Sequence, residues 1–358
     1  MVKAAVVLTS RGNYAKFKKI LRIMNPVKVI GGELLLHDRT TGLFRLEDNS
    51  HRVYFNIMGD SPVSVSKSIG AAVSEFTTIF DNMKPDIVLL VGDRFETFAA
   101  ATAAYNLGMP IGHLEGGEVS GALDNAWRNI ISEMAEVHFP CTEQAGRTLL
   151  GRGFDNVNVV GATSLDTLDE LVSNSVMNAL QEISGAGAFV DVSGRFLLAV
   201  YHPDTLNYDR TRDEVAALIE AVDSLKMPTI WLNANLDAGN DIVGSALRRY
   251  RDEKKPDFIR FFKGLPIEYY GRLLKNAACV VGNSSSGVRE GAFLGTPNVC
   301  IGRRQIGREI AENTTICNEH DIYGSILRQL DNGRYLSSHL YGDGTASERI
   351  VACLEQKA

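Results

Sequence analysis

Short runs of β-branched and aliphatic residues alternate with longer amphipathic stretches along all 358 residues. That alternation restricts the fold more than any single motif, because strand–helix–strand series build parallel α/β sheets. The first half places strands at residues 4–9, 27–30, 53–57, 87–91, 111–114, 137–140 and 157–160. Helical patterns fall between them at 14–24, 64–83, 97–107, 124–135 and 143–150. The run Ile87-Val88-Leu89-Leu90-Val91 is apolar throughout, as strands buried on both faces are.

A small, flexible segment at 184–188 precedes a second series, with strands at 196–201, 229–232, 258–262, 279–281 and 298–301. Helical patterns there cover 212–224 and 242–250, and the mixed charges of 248–255 read as a solvated helix end. Two doubly wound halves fit the length. We expect an N-terminal doubly wound domain over 1–170 and a second over 171–344, with a helix at 345–358 returning to the first.

Composition removes several classes. Apolar residues make up 45% of the chain, too many for disorder. Lys and Arg total 37 against 43 for Asp and Glu, a net charge of −6, so a nucleic-acid partner is not expected. No apolar run is long enough to span a membrane, and Met1–Leu8 lacks the regions of a signal peptide. Cys141, Cys279, Cys300, Cys317 and Cys353 are odd in number and include no C-x-x-C pair. They are expected to be reduced thiols of a cytoplasmic protein, with no metal site.

Ligands of open α/β sheets sit beyond the carboxyl ends of the strands, so residues just after strands carry the functional reading. Strand 87–91 runs into Gly92-Asp93-Arg94, and the next strand into His113-Leu114-Glu115-Gly116-Gly117-Glu118. Asp124 then opens a helix that carries Arg128 on the same face. Adjacent parallel strands would gather Asp93, His113, Glu115 and Asp124 in one crevice. Crowded carboxylates separate their pKa values, so that one serves as acid and another as base.

A second constellation follows strand 279–281: Gly282-Asn283-Ser284-Ser285-Ser286-Gly287, then a helical pattern at 288–294 that includes Glu290. A strand, a small polar loop and a helix start make an anion site. Arg304 in the strand exit 302–309 and Arg11 after the first strand offer further charge for a diphosphate. His202, Asn235 and Asp237 follow two more strands. No P-loop, G-x-G-x-x-G, nucleophile elbow or H-E-x-x-H is present, which argues against a dinucleotide cofactor, a serine hydrolase and a zinc hydrolase.

Taken in order, these motifs resemble the hydrolysing UDP-N-acetylglucosamine 2-epimerases. The likeness rests on Gly92-Asp93-Arg94, the 113–121 run, His202-Pro203, the 235–239 segment and the 282–290 loop. It continues through Arg304-Gln305-Ile306-Gly307-Arg308-Glu309 and Tyr341-Gly342-Asp343-Gly344. The resemblance implies two Rossmann-like domains of the glycosyltransferase-B type with a nucleotide sugar between them. It implies conversion of UDP-N-acetylglucosamine and water to N-acetylmannosamine and UDP through a glycal, without a cofactor, in a homodimer or homotetramer.

Carried over by position, Asp93, Glu115 and Asp124 would move protons, and His202 would assist at the sugar or the departing phosphate. Arg11, Arg94, Ser284, Ser285 and Arg304 would hold the diphosphate and Glu290 the ribose. His113, Asn235, Asp237 and Gly287 would complete the substrate contacts. Relatives act on UDP- or GDP-linked 2,4-diacetamido-trideoxy sugars, and a glycosyltransferase or a non-catalytic sugar-nucleotide binder of the same fold are the other classes. Where the family has His, His and Asp, this chain has Val91, Asn129 and Asn13. Asn129 lies five positions past Asp124, about 140° round the helix, so it need not face the same atoms as that acid. We expect the missing imidazoles to tune substrate choice or rate rather than to supply the essential proton carrier.

Overall fold

The computed structural model describes residues 2–35, 49–55, 61–168, 180, 183–206, 208–234 and 239–356. In chain order the first series is β1 (Ala4–Leu8), α1 (Arg11–Met24), β2 (Val27–Ile30), β3 (Ser50–Arg52), α2 (Pro62–Met83) and β4 (Ile87–Val91). It continues with α3 (Phe95–Asn106), β5 (Ile111–Leu114), α4 (Asp124–Met134), β6 (Val137–Phe139) and α5 (Glu143–Gly151). The six strands form a parallel sheet in the order β3-β2-β1-β4-β5-β6. β1 shows why it is central: Ala4, Val6 and Leu8 face one apolar cluster while Ala5 and Val7 face another.

The second series is β7 (Ala186–Gly187), β8 (Leu197–Val200), α6 (Tyr208–Leu225), β9 (Thr229–Leu232), α7 (Asn240–Lys254), β10 (Ile259–Phe262) and α8 (Ile267–Asn276). β11 (Cys279–Gly282), α9 (Ser285–Val288), α10 (Glu290–Leu294), β12 (Asn298–Ile301), β13 (Thr314–Cys317) and α11 (Ile322–Asn332) follow. Its seven strands lie in the order β13-β12-β11-β8-β9-β10-β7, parallel except for β7. Leu197, Ala199 and Tyr201 face one core, and Phe196, Leu198 and Val200 the other. Each sheet reverses its winding once, between β1 and β4 and between β8 and β11. Those are the two switch points at which such sheets bind ligands.

Several expectations needed correction. The strand expected at 53–57 lies earlier, at β3, and residues 56 and 57 are outside those described. β3 is an edge strand whose His51 and Arg52 are exposed, so it carries no apolar pattern to read. Residues 157–160 contribute only one bridge, His138 to Val157, because Pro140 ends β6 and has no N–H to extend the ladder. The 184–188 segment contains β7, whose glycine serves close approach rather than flexibility. Gly187 has φ 85°, and a side chain there would meet the Ile259 carbonyl at 2.6 Å. The short runs that form β13, α8 and α11 gave no expectation.

The chain divides into two units: Met1–Val119, Leu123–Thr167 and Tyr341–Ala358 form one, and Ser120–Ala122 with Leu168–Leu340 the other. The last helix, α12 (Ala346–Glu355), places Ala346, Ile350 and Leu354 in the first unit's core. Among the described residues no helix is long and apolar enough to cross a membrane.

α12 has no local side-chain cap, and Asp166 supplies one from a distance. Its carboxylate accepts from the backbone N–H groups of Ala346 at 3.0 Å and Ser347 at 2.6 Å. Asp166→Ala leaves both donors buried without this acceptor and should lower stability by about 1–3 kcal/mol. Urea denaturation followed by circular dichroism checks this, and a variant as stable as the parent would count against the cap.

Candidate active site

In the first unit the acids hang from neighbouring strand ends. Val91 pairs with Leu114, so Gly92-Asp93 and Glu115 continue side by side beyond the sheet. Glu115 is 4% exposed and takes a left-handed backbone with φ 67°, unusual for a residue with a side chain. Its Oε2 accepts from Lys16 Nζ of α1 at 2.7 Å. Asp93, half-buried, pairs with the guanidinium of Arg128 on α4. Asp124, the first residue of that helix, is also half-buried.

His113 lies beneath them, fully buried. Nε2 donates to the Gly92 carbonyl at 2.9 Å, so Nδ1 accepts from Ser132 Oγ at 3.0 Å in the neutral ring. Burial lowers its pKa to about 4. On the next strand His138 sits directly opposite and is likewise lowered by burial to about 4. Both rings are therefore neutral near pH 7.

The first two arginines meet a shared carboxylate. β2, β1 and β4 are adjacent, and after them come Glu33, Arg11 and Arg94. Glu33, 1% exposed, lies 3.7 Å from Arg11 and 3.7 Å from Arg94. Glu96 binds Arg94 through two contacts of 3.1 Å. Burial still pushes the Glu96 carboxyl above its ordinary range, against the pull of that guanidinium. At the switch point Asn13 Nδ2 reaches the Val91 carbonyl at 3.4 Å, and Asn13 N–H is capped by Ser10 Oγ at 3.2 Å. A carboxylate at position 13 would lack the donor for that carbonyl.

The second unit has its own switch-point bridge. Asn283 accepts from the His202 N–H at 2.7 Å and donates to the His202 carbonyl at 2.8 Å. Its own carbonyl receives Gln305 Nε2 at 2.9 Å and Arg304 Nη1 at 3.5 Å. Gly282 precedes it with φ 138°, and a side chain there would stand 1.9 Å from the Val200 carbonyl. Ser284 caps α9, and its hydroxyl is 2.9 Å from that of Ser286, which in turn meets Tyr270 Oη. Ser285 and Glu290 begin α9 and α10 and are half-buried.

A family model described as UDP-N-acetylglucosamine 2-epimerase matches residues 37–355. The chain belongs to that family. Among its relatives is a Legionella pneumophila protein named UDP-N,N'-diacetylbacillosamine 2-epimerase (hydrolyzing). The two are 32% identical over 315 residues, 84% of this chain and 81% of the relative. A UDP-N-acetylglucosamine 2-epimerase of Neisseria meningitidis serogroup B is 26% identical over 373 residues, 98% of this chain and 94% of its own. The fold matches that of Methanocaldococcus jannaschii UDP-GlcNAc 2-epimerase, solved in complex with UDP-GlcNAc and UDP. The TM-score is 0.80 at 19% identity, covering 99% of both chains. The fold is thus two Rossmann-like domains of the glycosyltransferase-B type.

Within this epimerase-family chain, the structure brings Asp93 and Glu115 to adjoining strand ends and gathers His202, Ser284 and Arg304 around Asn283. Asn235 and Asp237 lie outside the described residues. Other positions have clear structural work. His113 has both ring nitrogens hydrogen-bonded and holds the Gly92 turn. Gly287 is packed on the Asn298 side chain, where a Cβ would stand 2.3 Å from Oδ1. The helical pattern at 288–294 is two short helices that meet at Arg289, too short to build up much of a helix dipole. Val91 is 2% exposed within the first core, and Asn129 accepts from Arg152 at 2.8 Å. An imidazole at 91 would enter the core, and one at 129 would meet Arg152.

Sequence reasoning missed Lys16, Glu33, Glu96 and the central place of Asn283. Lys16 gave one usable signal: it lies early in a helix that follows a strand directly, where side chains reach back over the sheet end.

The buried histidines set a pH dependence. Unfolded, each takes up a proton near its ordinary 6.5, whereas folded they resist to about 4. The unfolded state therefore binds more protons between those values, and stability should decline as pH falls through that window. Urea midpoints at a series of pH values test this, and His138→Gln should flatten the decline. An unchanged slope in the variant would remove His138 from the account.

Proposed function

We propose that this chain is a hydrolysing 2-epimerase, taking a nucleotide-linked 2-acetamido sugar and water to the free C2 epimer and the nucleoside diphosphate. The observation that carries the reading is the set of carboxylates at the ends of β4 and β5 and the start of α4, two of them paired with cations, in a chain of the epimerase family. A carboxylate takes the C2 proton as the diphosphate leaves C1, giving a glycal. Water then adds its hydroxyl to C1, and a proton returns to C2 on the opposite face.

Asp93, Glu115 and Asp124 are the groups we assign to these transfers, with His202 assisting. Lys16 beside Glu115 favours its ionised form, which a base requires. Arg11, Arg94, Ser284, Ser285 and Arg304 hold the diphosphate, a leaving group that oriented N–H groups and guanidinium ions stabilise. Glu290 holds the ribose.

UDP-N-acetylglucosamine, giving N-acetylmannosamine and UDP, is the first substrate we assign. A second is a UDP- or GDP-linked 2,4-diacetamido-trideoxyhexose, favoured by the name of the Legionella relative, which is the more similar of the two relatives described.

The test is incubation in deuterium oxide with a panel of UDP- and GDP-amino sugars, EDTA present. The expected product is a free C2-epimerised sugar carrying deuterium at C2, and the sugar released identifies the substrate. Hydrogen retained at C2 would indicate simple glycoside hydrolysis and sink the elimination.

Binding and chemistry should also separate by mutation. Glu115→Gln is expected to bind UDP nearly as the parent does while losing at least about 10²-fold in turnover. Arg304→Ala should chiefly weaken UDP binding, by about 1.5–3 kcal/mol if a charge-assisted contact is lost. Calorimetry and single-turnover rates distinguish the two patterns. A fully active Glu115→Gln protein would remove that residue from the chemistry.

A further inference from the structure

The acids assigned above come from separate segments: Asp93 from the turn after β4, Glu115 from the loop after β5, and Asp124 from the start of α4. One side chain is fastened to all of these segments. Arg128, 2% exposed, sends Nη2 to the Asp93 carboxylate. Its Nη1 donates to the Glu118 carbonyl at 3.0 Å, in the loop that begins with Glu115, and to Asn125 Oδ1 at 3.0 Å, next to Asp124.

We propose that Arg128 is the positioning residue that sets the mutual geometry of Asp93, Glu115 and Asp124. The inference rests on the epimerase reading. A guanidinium is suited to the task because its donors are fixed in one plane, so Asp93, the Glu118 carbonyl and Asn125 cannot drift independently. An ammonium at the same place could pair with Asp93 but has no rigid fork with which to hold the loop and the helix start together. Packing alone does not account for Arg128, since burying a guanidinium is unfavourable unless its donors are matched. The arrangement also has an electrostatic side, because the buried cation favours the ionised form of Asp93. Among the described residues the charged groups at these strand ends also include Glu115 with its Lys16 partner, Glu118, Asp124, and Arg94 and Arg11 with Glu33 and Glu96, while His113 beneath is neutral.

The experiment compares the parent with Arg128→Lys, Arg128→Met and Arg128→Gly, using the most active sugar nucleotide of the panel, with melting curves and UDP binding as controls on folding. Arg128→Lys should lose about 10²-fold in kcat with little change in KM, the scale of one general acid–base contribution. Arg128→Met should lose more, and the acid limb of its kcat/KM profile should move to higher pH because Asp93 has lost its cation. Guanidinium ion added to folded Arg128→Gly should restore activity by about tenfold, a change of about 1.4 kcal/mol in barrier.

Lys and Met variants that match the parent in kcat would overturn the proposal. So would equal losses with an unmoved pH profile, or absence of rescue in a folded Arg128→Gly protein. If Arg128→Gly does not fold, the Lys and Met variants decide. A parent that releases nucleotide from no sugar would defeat the epimerase reading instead. Carbon-13 titration of the Asp93 carboxyl then tests the positioning separately: a higher pKa in Arg128→Met supports it and an unchanged one overturns it.

Discussion

Every parallel strand ends at the same edge of its sheet, and each crossover helix returns the chain to the opposite edge before the next strand begins. That constraint decides where chemistry can occur in this protein. The strand interiors are mostly apolar on both faces, and the buried histidines they hold, His113 and His138, are kept neutral, so charged function collects in the turns at one edge. At each switch point an asparagine spans the two central strands, Asn13 to Val91 in one unit and Asn283 to His202 in the other. Adjacent strand ends are thus held in register before any ligand arrives.

Gathering acids and arginines at such an edge puts charge where water is scarce, and ionised groups there need partners. The first unit meets this with a chain of pairs: Lys16 with Glu115, Arg128 with Asp93, and Glu33 and Glu96 with the two arginines. His113 takes the other route and stays neutral, doing its work through two hydrogen bonds. The same network that makes burial tolerable also fixes the direction of each carboxylate, so stability and orientation are properties of one set of contacts.

The sequence made much of this edge legible. Continuous apolar runs such as 87–91 located strands, and glycines flanking acids marked the turns where Asp93 and Glu115 emerge. What escaped was whatever depends on the order of strands across the sheet. Glu33 and Arg94 are 3.7 Å apart only because β2, β1 and β4 are neighbours, and nothing local in either segment announces it. Val91 escaped for a related reason, since the pleat directs it into the core. Asn129 follows from helix geometry alone: five positions past Asp124 it faces another way, and there it accepts from Arg152. Edge strand β3 escaped because exposed residues need no apolar pattern.

The second unit is, in chain terms, almost wholly an insertion within the first, since residues 341–358 belong with residues 1–119. This has a consequence for biosynthesis. When the first sheet has left the ribosome, its apolar face still lacks Ala346, Ile350 and Leu354, and Asp166 has yet to meet the N–H groups it will cap. The first half of the chain to be made is therefore the last to be finished. Throughout translation of the intervening residues it waits with an open flank, a period in which chaperones have an exposed surface to recognise.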